Sequence, residues 1–255
     1  MQEKDGLLAA HRHRQVLLDG ACNVRDLGGL PTNDGRWTRR GVVYRADSLA
    51  FLSEADCARL VDLEIRMVVD LRTDEERQRA PDHLPEGIVV CPAGFMPSGN
   101  QPMVDAINAG GMTAEQAHAA MFRQYRSLAL DHLARYREYF AALLAEKSTP
   151  LVLHCASGKD RTGVAAAITL MAVGVPLAVV VEDYVISNYQ RCKVDLFGRD
   201  ASAVAVEAVM SADARYLNAA LVAIDEQFGS IDSYLADGLG MDPTAHAQLR
   251  TLLVE

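Results

Sequence analysis

The feature that most constrains the fold is a short apolar run that passes through a glycine-containing turn into a helical pattern. Residues 149–153 read Thr-Pro-Leu-Val-Leu, which is typical of a strand covered on both faces. Residues 154–161 read His-Cys-Ala-Ser-Gly-Lys-Asp-Arg, and the pattern after them is helical. A strand that enters a helix in this way predicts an α/β fold, with the turn at the carboxyl edge of the sheet, where open α/β sheets bind ligands.

The residues of this turn, which we call the cradle loop (154–161), suit the binding of a phosphate-like anion. A loop between a strand and a helix directs several backbone N–H groups at one point, which the helix dipole makes positive. Gly158 lets the backbone curl, Arg161 offers a planar fork to two oxygens, and Lys159 adds a point charge. The same surroundings favour the thiolate of Cys155, which is an effective nucleophile.

Composition excludes several other kinds of site. The 255 residues carry a formal net charge of -9, which argues against general nucleic-acid binding because phosphate backbones favour a surplus of Lys and Arg. The sequence contains no Gly-x(4)-Gly-Lys-Ser/Thr nucleotide loop and no zinc or calcium ligand pattern. We therefore expect chemistry that needs no metal and no cofactor.

Apolar runs and helical patterns alternate in the first two thirds of the chain, and the pattern after the cradle loop is helical almost to the end. This order predicts an α/β fold with a central, mainly parallel sheet flanked by helices and a helical C-terminal part. Because no linker separates two compositional halves, we expect a single domain over 1–255. The strands are expected at 41–44, 67–71, 87–91 and 149–153, the earlier helices at 53–63 and 73–79, and a long helical region at 116–144.

Three segments invite special interpretations. Residues 1–20 read as a mobile tail in which His11 and His13 are solvated, and 91–112, rich in Pro and Gly, as an irregular lid near the substrate. Residues 164–181 are uncharged and long enough for a membrane span, but Gly174 and Pro176 interrupt them. A buried helix, a turn and a second helix explain that run better.

The five cysteines are scattered and odd in number, with no Cys-x-x-Cys pair. We expect a reduced protein in which all except Cys155 pack as small hydrophobes. The N-terminus lacks the apolar stretch of a signal peptide. These features predict a cytoplasmic location, with secretion by a route that needs no recognisable signal as the alternative.

With two further residues the loop reads His-Cys-x-x-Gly-Lys-Asp-Arg-Thr-Gly, at 154–163. On this motif the chain resembles the protein tyrosine phosphatase superfamily and, more narrowly, the atypical bacterial tyrosine and lipid phosphatases. The resemblance extends over nearly the whole chain. Its further matches lie at 23–29, 44–49, 70–72 with Glu75, 183–188 and 228–230.

The resemblance implies a tyrosine phosphatase-like fold, Cys155 as nucleophile and Arg161 as phosphate ligand, with a cysteinyl-phosphate intermediate. It implies a phosphorylated protein or a phosphoinositide as partner, carrying phosphotyrosine, phosphoserine or phosphothreonine, or an inositol phosphate. The phosphoinositides are associated with Lys159. The remaining substrate-binding residues implied by the motif are Ala156, Ser157, Gly158 and Thr162.

The general acid is open between two aspartates. Phosphatases of this superfamily commonly protonate the leaving oxygen with an aspartate on a separate loop, but 91–103 contains no Asp or Glu. Asp160 in the cradle loop is our first candidate and Asp105 the second. Asp160 has an equally weighted alternative role, as a helix-start carboxylate that orients Lys159 or a neighbouring amide.

Other polar residues near the predicted active edge are expected to support the loop. His154 is expected to order it by hydrogen bonding beneath Cys155. Four more residues lie at turns or strand ends and have two possible roles, substrate contact or a structural ion-pair network. They are Asp26, Arg45, Asp70 and Arg72.

Two other functions compete with the phosphatase interpretation. Rhodanese-like sulfurtransferases also place a cysteine in an anion-binding loop, but Arg161 and Thr162 suit a dianionic phosphate better. A pseudophosphatase would bind phosphorylated partners without turnover; intact Cys155 and Arg161 argue against it, whereas the missing lid aspartate favours it.

Overall fold

The computed structural model describes residues 2–190, 192, 197–198 and 200–255, which leaves Met1 of the predicted tail outside the described residues. Within these residues there are five strands: β1 Arg25–Asp26, β2 Val43–Ala46, β3 Met67–Asp70, β4 Val89–Pro92 and β5 Leu151–His154. The helices are α1 Gln2–His11, α2 Glu54–Asp62, α3 Asp74–Arg79, α4 Asn100–Asn108, α5 Ala114–Leu130, α6 Leu133–Leu144, α7 Arg161–Ala172, α8 Leu177–Val185, α9 Ser187–Gln190, α10 Ala203–Met210, α11 Ala214–Phe228, α12 Ile231–Ser233 and α13 Pro243–Leu253. Short 3-10 and π turns occupy Arg12–Arg14 and Tyr234–Gly238.

The strands form one sheet in the order β1-β2-β5-β3-β4. β2, β5, β3 and β4 run parallel, and only β1 is antiparallel to its neighbour. The register pairs His154 at the end of β5 with Ala46 of β2 and with Asp70 of β3. The expectation of a central, mainly parallel sheet flanked by helices is therefore confirmed, and three strand ends meet beside the cradle loop.

Successive residues of the central strand face two different hydrophobic clusters, as strand geometry requires. Leu151 and Leu153 pack in a large cluster with helices that include α5, α6, α7 and α11. Val152 packs in a smaller cluster against α2. Because both faces of β5 are covered, its continuous apolar sequence is explained.

The uncharged run 164–181 forms a helix, a turn and a second helix, as predicted. α7 ends at Ala172, Gly174 adopts a left-handed φ of +87°, and Pro176 precedes α8. Glycine accepts such a φ without strain, and proline suits a helix start. No helix in the described ranges combines the length and the apolarity that crossing a membrane requires.

Side-chain caps fix the starts of several helices that precede the cradle loop. Ser53 and Asp56 form a reciprocal capping box at α2, as do Thr73 and Glu76 at α3. Each box satisfies backbone N–H groups that have no partner within the helix. The predicted helical region 116–144 comprises two helices, since α5 ends at Leu130 and α6 begins at Leu133.

Two expectations for irregular segments are corrected. Within 91–112, residues 100–108 form α4, with Met103 and Ile107 buried in the large cluster. Its spaced apolar residues give it one buried face, so the prediction that the segment is irregular throughout is wrong, while its movement as a lid stays a prediction. His11, predicted to be solvated, is buried and lies 3.4 Å from Glu182.

Candidate active site

The cradle loop closes around Cys155 at the junction of a strand and a helix. β5 ends at His154 and α7 begins at Arg161, as the sequence predicts. Gly158 has a φ of +65°, and a Cβ at this position would lie 2.5 Å from the carbonyl oxygen of Ala46, so the position requires glycine. Cys155, the residue directly after β5, is buried and only 1% exposed.

Three successive carbonyls of the cradle loop, those of residues 156–158, accept hydrogen bonds from outside it. The donors are the Ser48 amide at 3.1 Å, the Asn23 side-chain amide at 3.2 Å and the Arg45 guanidinium at 2.7 Å. In a planar trans peptide the C=O and N–H groups point in opposite directions. Holding these carbonyls outward therefore turns the amides of 157–159 inward, which is the arrangement that an oxyanion needs.

Arg161 is clamped at the start of α7. Its Nη1 and Nη2 donate to the two carboxylate oxygens of Glu76 at 2.6 and 2.7 Å. Nη1 also donates to the carbonyls of Leu71 and Phe95 at 3.0 and 3.1 Å. These bonds fix the plane of the guanidinium, so that little side-chain freedom remains to be lost when an anion binds.

Glu76 is a site residue that the sequence interpretation missed. The family motif drew attention to Glu75, but Glu75 is exposed and it is Glu76 that pairs with Arg161. Burial opposes ionisation of Glu76, yet the hydrogen bond and the charge of Arg161 lower its pKa overall. The Thr73 capping box also orients Glu76, and this local signal could have identified it.

Asp160 lies at the start of α7 with two side-chain contacts. Tyr125 donates its hydroxyl to Asp160 Oδ1 at 2.7 Å, and the Lys159 ammonium lies 3.1 Å from the same oxygen. The contact with Lys159 fits the predicted role of Asp160 as an anchor for that side chain, while its role as the general acid stays a prediction. Asp105, the second candidate, is exposed on α4 and accepts a hydrogen bond from Gln101 at 2.8 Å.

Lys159 is 3% exposed and contacts residues outside the loop as well as Asp160 within it. Its ammonium donates to the carbonyls of Val209 at 2.5 Å and Ser211 at 3.2 Å, at the end of α10. Lys159 therefore connects the cradle loop to the helical C-terminal part. Its predicted contact with substrate stays a prediction.

His154 lies in a buried ionic group directly beneath the loop. Its Nδ1 is 3.2 Å from the Cys155 carbonyl oxygen, and its Nε2 is 3.1 Å from Asp82 and 3.5 Å from Asp70. Arg72 places Nη2 2.7 Å from a carboxylate oxygen of each aspartate. These contacts fit the predicted role of His154 in ordering the loop. Asp82 is a residue of this ionic group that the sequence interpretation missed.

The same group bears on metal binding. Asp70, Asp82 and His154 offer ligand atoms within 4.8 Å of one another. However, the guanidinium of Arg72 already supplies a positive charge to both carboxylates. We interpret these residues as an ion-pair network that supports the loop, which is one of the two roles predicted for Asp70 and Arg72.

A second buried network lies behind the loop and centres on Asp183 of α8. Its carboxylate accepts hydrogen bonds from Arg14 at 2.8 Å, Arg25 at 3.0 Å and Arg45 at 2.7 Å, all with side chains at most 1% exposed. Burial and the neighbouring Arg45 lower the pKa of Arg25 to about 9, which leaves it charged at neutral pH. Three guanidiniums against one carboxylate leave two surplus positive charges.

Arg45 and Asp26 have contacts that fit one of their two predicted roles, a structural network, while substrate contact stays a prediction. Arg45 divides its guanidinium between Asp183 and the carbonyl of Gly158. Asp26 accepts hydrogen bonds from the amides of Gly28 at 2.7 Å and Gly41 at 2.8 Å. Burial raises the pKa of Asp26 despite these bonds.

Thr162, the first residue after Arg161, is fully buried. Its hydroxyl has no hydrogen-bond partner among the residues that the structure describes. A buried polar group without a partner is costly, and this hydroxyl keeps its capacity for a hydrogen bond to a ligand. Thr162 therefore remains a candidate for substrate binding, together with the half-buried Ala156 and Ser157.

Two cysteines correct the expectation of a fully reduced protein. Cys22 and Cys192 form a disulfide with a Cα–Cα distance of 5.2 Å, a separation that disulfides favour. Asp47 lies beside both sulfurs, but the disulfide occupies these potential metal ligands. The predicted location, cytoplasmic or secreted, stays a prediction.

The comparisons with known proteins agree with this geometry. A family model described as the tyrosine phosphatase family matches residues 16–255. The chain belongs to this family. The match includes the sheet, the cradle loop and the helical C-terminal part of the phosphatase, so the family resemblance is confirmed at this level.

Two relatives extend over most of the phosphatase. A protein of Cupriavidus necator named "Putative tyrosine-protein phosphatase H16_A0669" is 34% identical over 251 residues, covering 94% of this chain and 88% of the relative. Triple specificity protein phosphatase PtpB of Mycobacterium tuberculosis is 28% identical over 275 residues, covering 93% and 98%. The protein is accordingly a cysteine-dependent protein phosphatase, as predicted.

Among solved structures, the phosphatase is similar to one titled "Crystal structure of P. aeruginosa TpbA". The identity is 17%, and the aligned parts cover 72% of this chain and 89% of the other. The TM-score of 0.31 is too low for any inference about the site.

Proposed function

We propose that this phosphatase hydrolyses phosphate monoesters through a cysteinyl-phosphate formed on Cys155. One observation carries the proposal: Cys155, the inward-facing amides of 157–159 and Arg161, which Glu76 holds in place, all belong to the cradle loop. These donors would hold the non-bridging phosphate oxygens while the sulfur faces phosphorus. Catalysis by such a site rests on positioning and on electrostatic stabilisation of the transferred group.

The reaction has two steps. In the first, the Cys155 sulfur bonds to phosphorus, the bond from phosphorus to the ester oxygen breaks, and Asp160 gives its proton to the leaving oxygen. In the second, water attacks phosphorus, the sulfur–phosphorus bond breaks, and Asp160 takes a proton from that water. Orthophosphate leaves and the thiolate is restored.

The charges around the loop support a dianionic substrate. Arg161 is balanced by Glu76, whereas the Asp183 network behind the loop has two surplus positive charges. Since Arg45 joins that network directly to the carbonyl of Gly158, the surplus acts close to the bound anion. Fixed positive charge in a water-poor site stabilises an anion more strongly than the same charge would in water.

For the substrate we propose phosphotyrosine first, with activity toward phosphoserine, phosphothreonine and phosphoinositides. The name of the PtpB relative, which states triple specificity, supports this breadth. A phosphoinositide contact with Lys159 would require its ammonium to leave the carbonyls of Val209 and Ser211. We therefore expect phosphoinositides to be turned over more slowly than phosphotyrosine peptides.

The experiment compares wild type and Cys155→Ser on para-nitrophenyl phosphate, phosphopeptides and a phosphoinositide, with phosphate release as the readout. Cys91→Ser is the matched control, because Cys91 is a free cysteine in β4 outside the cradle loop. We expect activity to vanish in Cys155→Ser and to persist in Cys91→Ser. Equal activity of Cys155→Ser and wild type, or turnover of thiosulfate without phosphate release, would disprove the proposal.

We also propose that residues 1–255 fold as one domain. The family match spans 16–255, and the amide and carbonyl of Glu255 at the C-terminus exchange hydrogen bonds with Trp37. Trp37 is the one tryptophan of the chain, so its fluorescence reports on this junction. We expect fluorescence and activity to be lost in one coincident urea transition; two separate transitions would contradict a single domain.

A further inference from the structure

A pair of buried tyrosines connects Asp160 to the core. Tyr125 on α5 donates its hydroxyl to Asp160 Oδ1 at 2.7 Å, and the hydroxyl oxygens of Tyr125 and Tyr184 are 2.5 Å apart. Both tyrosines are at most 1% exposed. Tyr184 comes from α8, directly after Asp183, so one helix contributes to both networks around the loop.

The direction of these hydrogen bonds follows from the number of protons. A tyrosine has one hydroxyl hydrogen, and that of Tyr125 is directed to Asp160. Tyr184 must therefore donate to Tyr125. Burial and the nearby Asp160 carboxylate raise the pKa of both tyrosines well above the usual range, so both are neutral donors at neutral pH.

The contacts of Asp160 are unequal between its two oxygens. Tyr125 donates to Oδ1, and the Lys159 ammonium lies 3.1 Å from the same oxygen. A proton destined for the substrate would therefore reside on Oδ2. Because Tyr125 and Lys159 hold Oδ1 in place, the orientation of the whole carboxyl group, and with it the direction of Oδ2, is fixed.

The small residue after Thr162 makes room for this arrangement. A Cβ at Gly163 would lie 3.0 Å from the ring of Tyr184, closer than nearly all real contacts of this kind. The glycine of the Arg-Thr-Gly motif thus lets the Tyr184 ring pack against α7. From there its hydroxyl reaches Tyr125.

We propose that Tyr125, supported by Tyr184, is a positioning residue for proton transfer by Asp160. The inference rests on the proposed role of Asp160 as general acid. When the Oδ2–H bond breaks and the proton passes to the leaving oxygen, Asp160 becomes a carboxylate. The bond from Tyr125 then becomes charge-assisted and strengthens, so it stabilises the transition state more than the ground state.

The test uses aryl and alkyl phosphates whose leaving groups differ in basicity. We compare kcat/KM, which reports the first step and not hydrolysis of the cysteinyl-phosphate. For 2,4-dinitrophenyl phosphate, whose phenolate leaves without a proton, we expect kcat/KM of Tyr125→Phe to match that of wild type. For an alkyl phosphate, which needs the proton, we expect kcat/KM to fall roughly tenfold or more, as for the loss of one hydrogen bond to a charged group. Tyr184→Phe, one bond further away, should show a smaller effect of the same kind.

The matched control is Tyr139→Phe. Tyr139 is equally buried and its hydroxyl is 3.0 Å from that of Thr169, in the core on α6 and α7. This variant should leave both substrates unaffected. If a variant contains less folded enzyme, its activity toward both phosphates falls by the same factor. The ratio of the two activities therefore reports on proton transfer and does not depend on stability.

The outcomes separate this inference from the proposed function. If Tyr125→Phe lowers turnover of both phosphates equally, or of neither, while Asp160→Asn affects mainly the alkyl phosphate, Tyr125 has no positioning role and Asp160 remains the acid. If Asp160→Asn shows no dependence on the leaving group, the acid assignment fails and this inference fails with it. A selective loss in both variants supports it.

Discussion

The substitution Asp183→Asn tests whether charge balance behind the cradle loop holds the fold together. Asp183 accepts hydrogen bonds from three guanidiniums at 2.7–3.0 Å, and its own side chain is 1% exposed. Asparagine keeps the size of the side chain but removes the negative charge and one acceptor oxygen. Arg14, Arg25 and Arg45 would then lie in the core without a counter-charge.

The cost follows from this burial. Removing one partner of a buried ion pair costs about 3–5 kcal/mol, because it leaves an uncompensated charge. Native proteins are stable by about 5–15 kcal/mol, so the loss is a large share of the total. At roughly 2–4 °C per kcal/mol for a chain of this size, Tm should fall by about 6–20 °C.

The assay is thermal and urea unfolding followed by circular dichroism, with Asp213→Asn as the matched control. Asp213 pairs with Arg215, whose side chain is 65% exposed, and caps α11, a role that asparagine fills equally well. The control should keep its Tm within a few degrees of wild type. A Tm of Asp183→Asn within about 2 °C of wild type would refute the reasoning that this buried charge balance stabilises the fold.

Three further outcomes follow from other contacts. Glu76→Gln, which removes the charge beside Arg161, should lower kcat/KM roughly tenfold, whereas the exposed neighbour Glu75→Gln should not; equal values would contradict the clamp. The pKa values of Glu76 and Asp183 are lowered in the folded protein, so as the pH falls the unfolded chain takes up protons at these groups before the folded protein does. The free energy of unfolding in urea should therefore be full above about pH 5 and fall below about pH 4, and a profile that is flat with pH would contradict this. Thiol titration of the denatured, unreduced protein should find 3 free cysteines, and after reduction all 5; finding 5 at once would contradict the Cys22–Cys192 disulfide.

Local sequence patterns were sufficient to predict the elements that build the cradle loop. The apolar run of β5 and the helical pattern of α7 are each determined by residues close in sequence, and the structure places the loop between them. Gly174 and Pro176 likewise predicted the turn between two helices, because each residue acts on its own backbone. Such signals need no knowledge of distant partners.

The networks around the loop could not be predicted in this way. The guanidiniums that bind Asp183 lie 138, 158 and 169 residues away in sequence. Charged residues are usually exposed, so no local sequence pattern predicts that these four charged side chains are buried in contact with one another. A similarly long separation in sequence, 170 residues, lies between Cys22 and its disulfide partner Cys192, so the sequence gives no sign of the pairing.

Tyr125 shows why helical periodicity alone misses a functional group. It lies on the buried face of α5, where an apolar stripe predicts only packing. What makes it functional is the hydroxyl at the end of the ring, whose partner Asp160 is 35 residues further along the chain. Glu76 differs, since its capping box with Thr73 is a local signal.

The most direct test of the central claim is to trap the intermediate. Wild-type enzyme turning over para-nitrophenyl phosphate would be quenched in acid, digested and analysed by mass spectrometry. We predict one added phosphoryl group on the peptide that contains Cys155, and none in Cys155→Ser. A phosphoryl group on another residue, or turnover with no phosphorylated enzyme at any quench time, would contradict it.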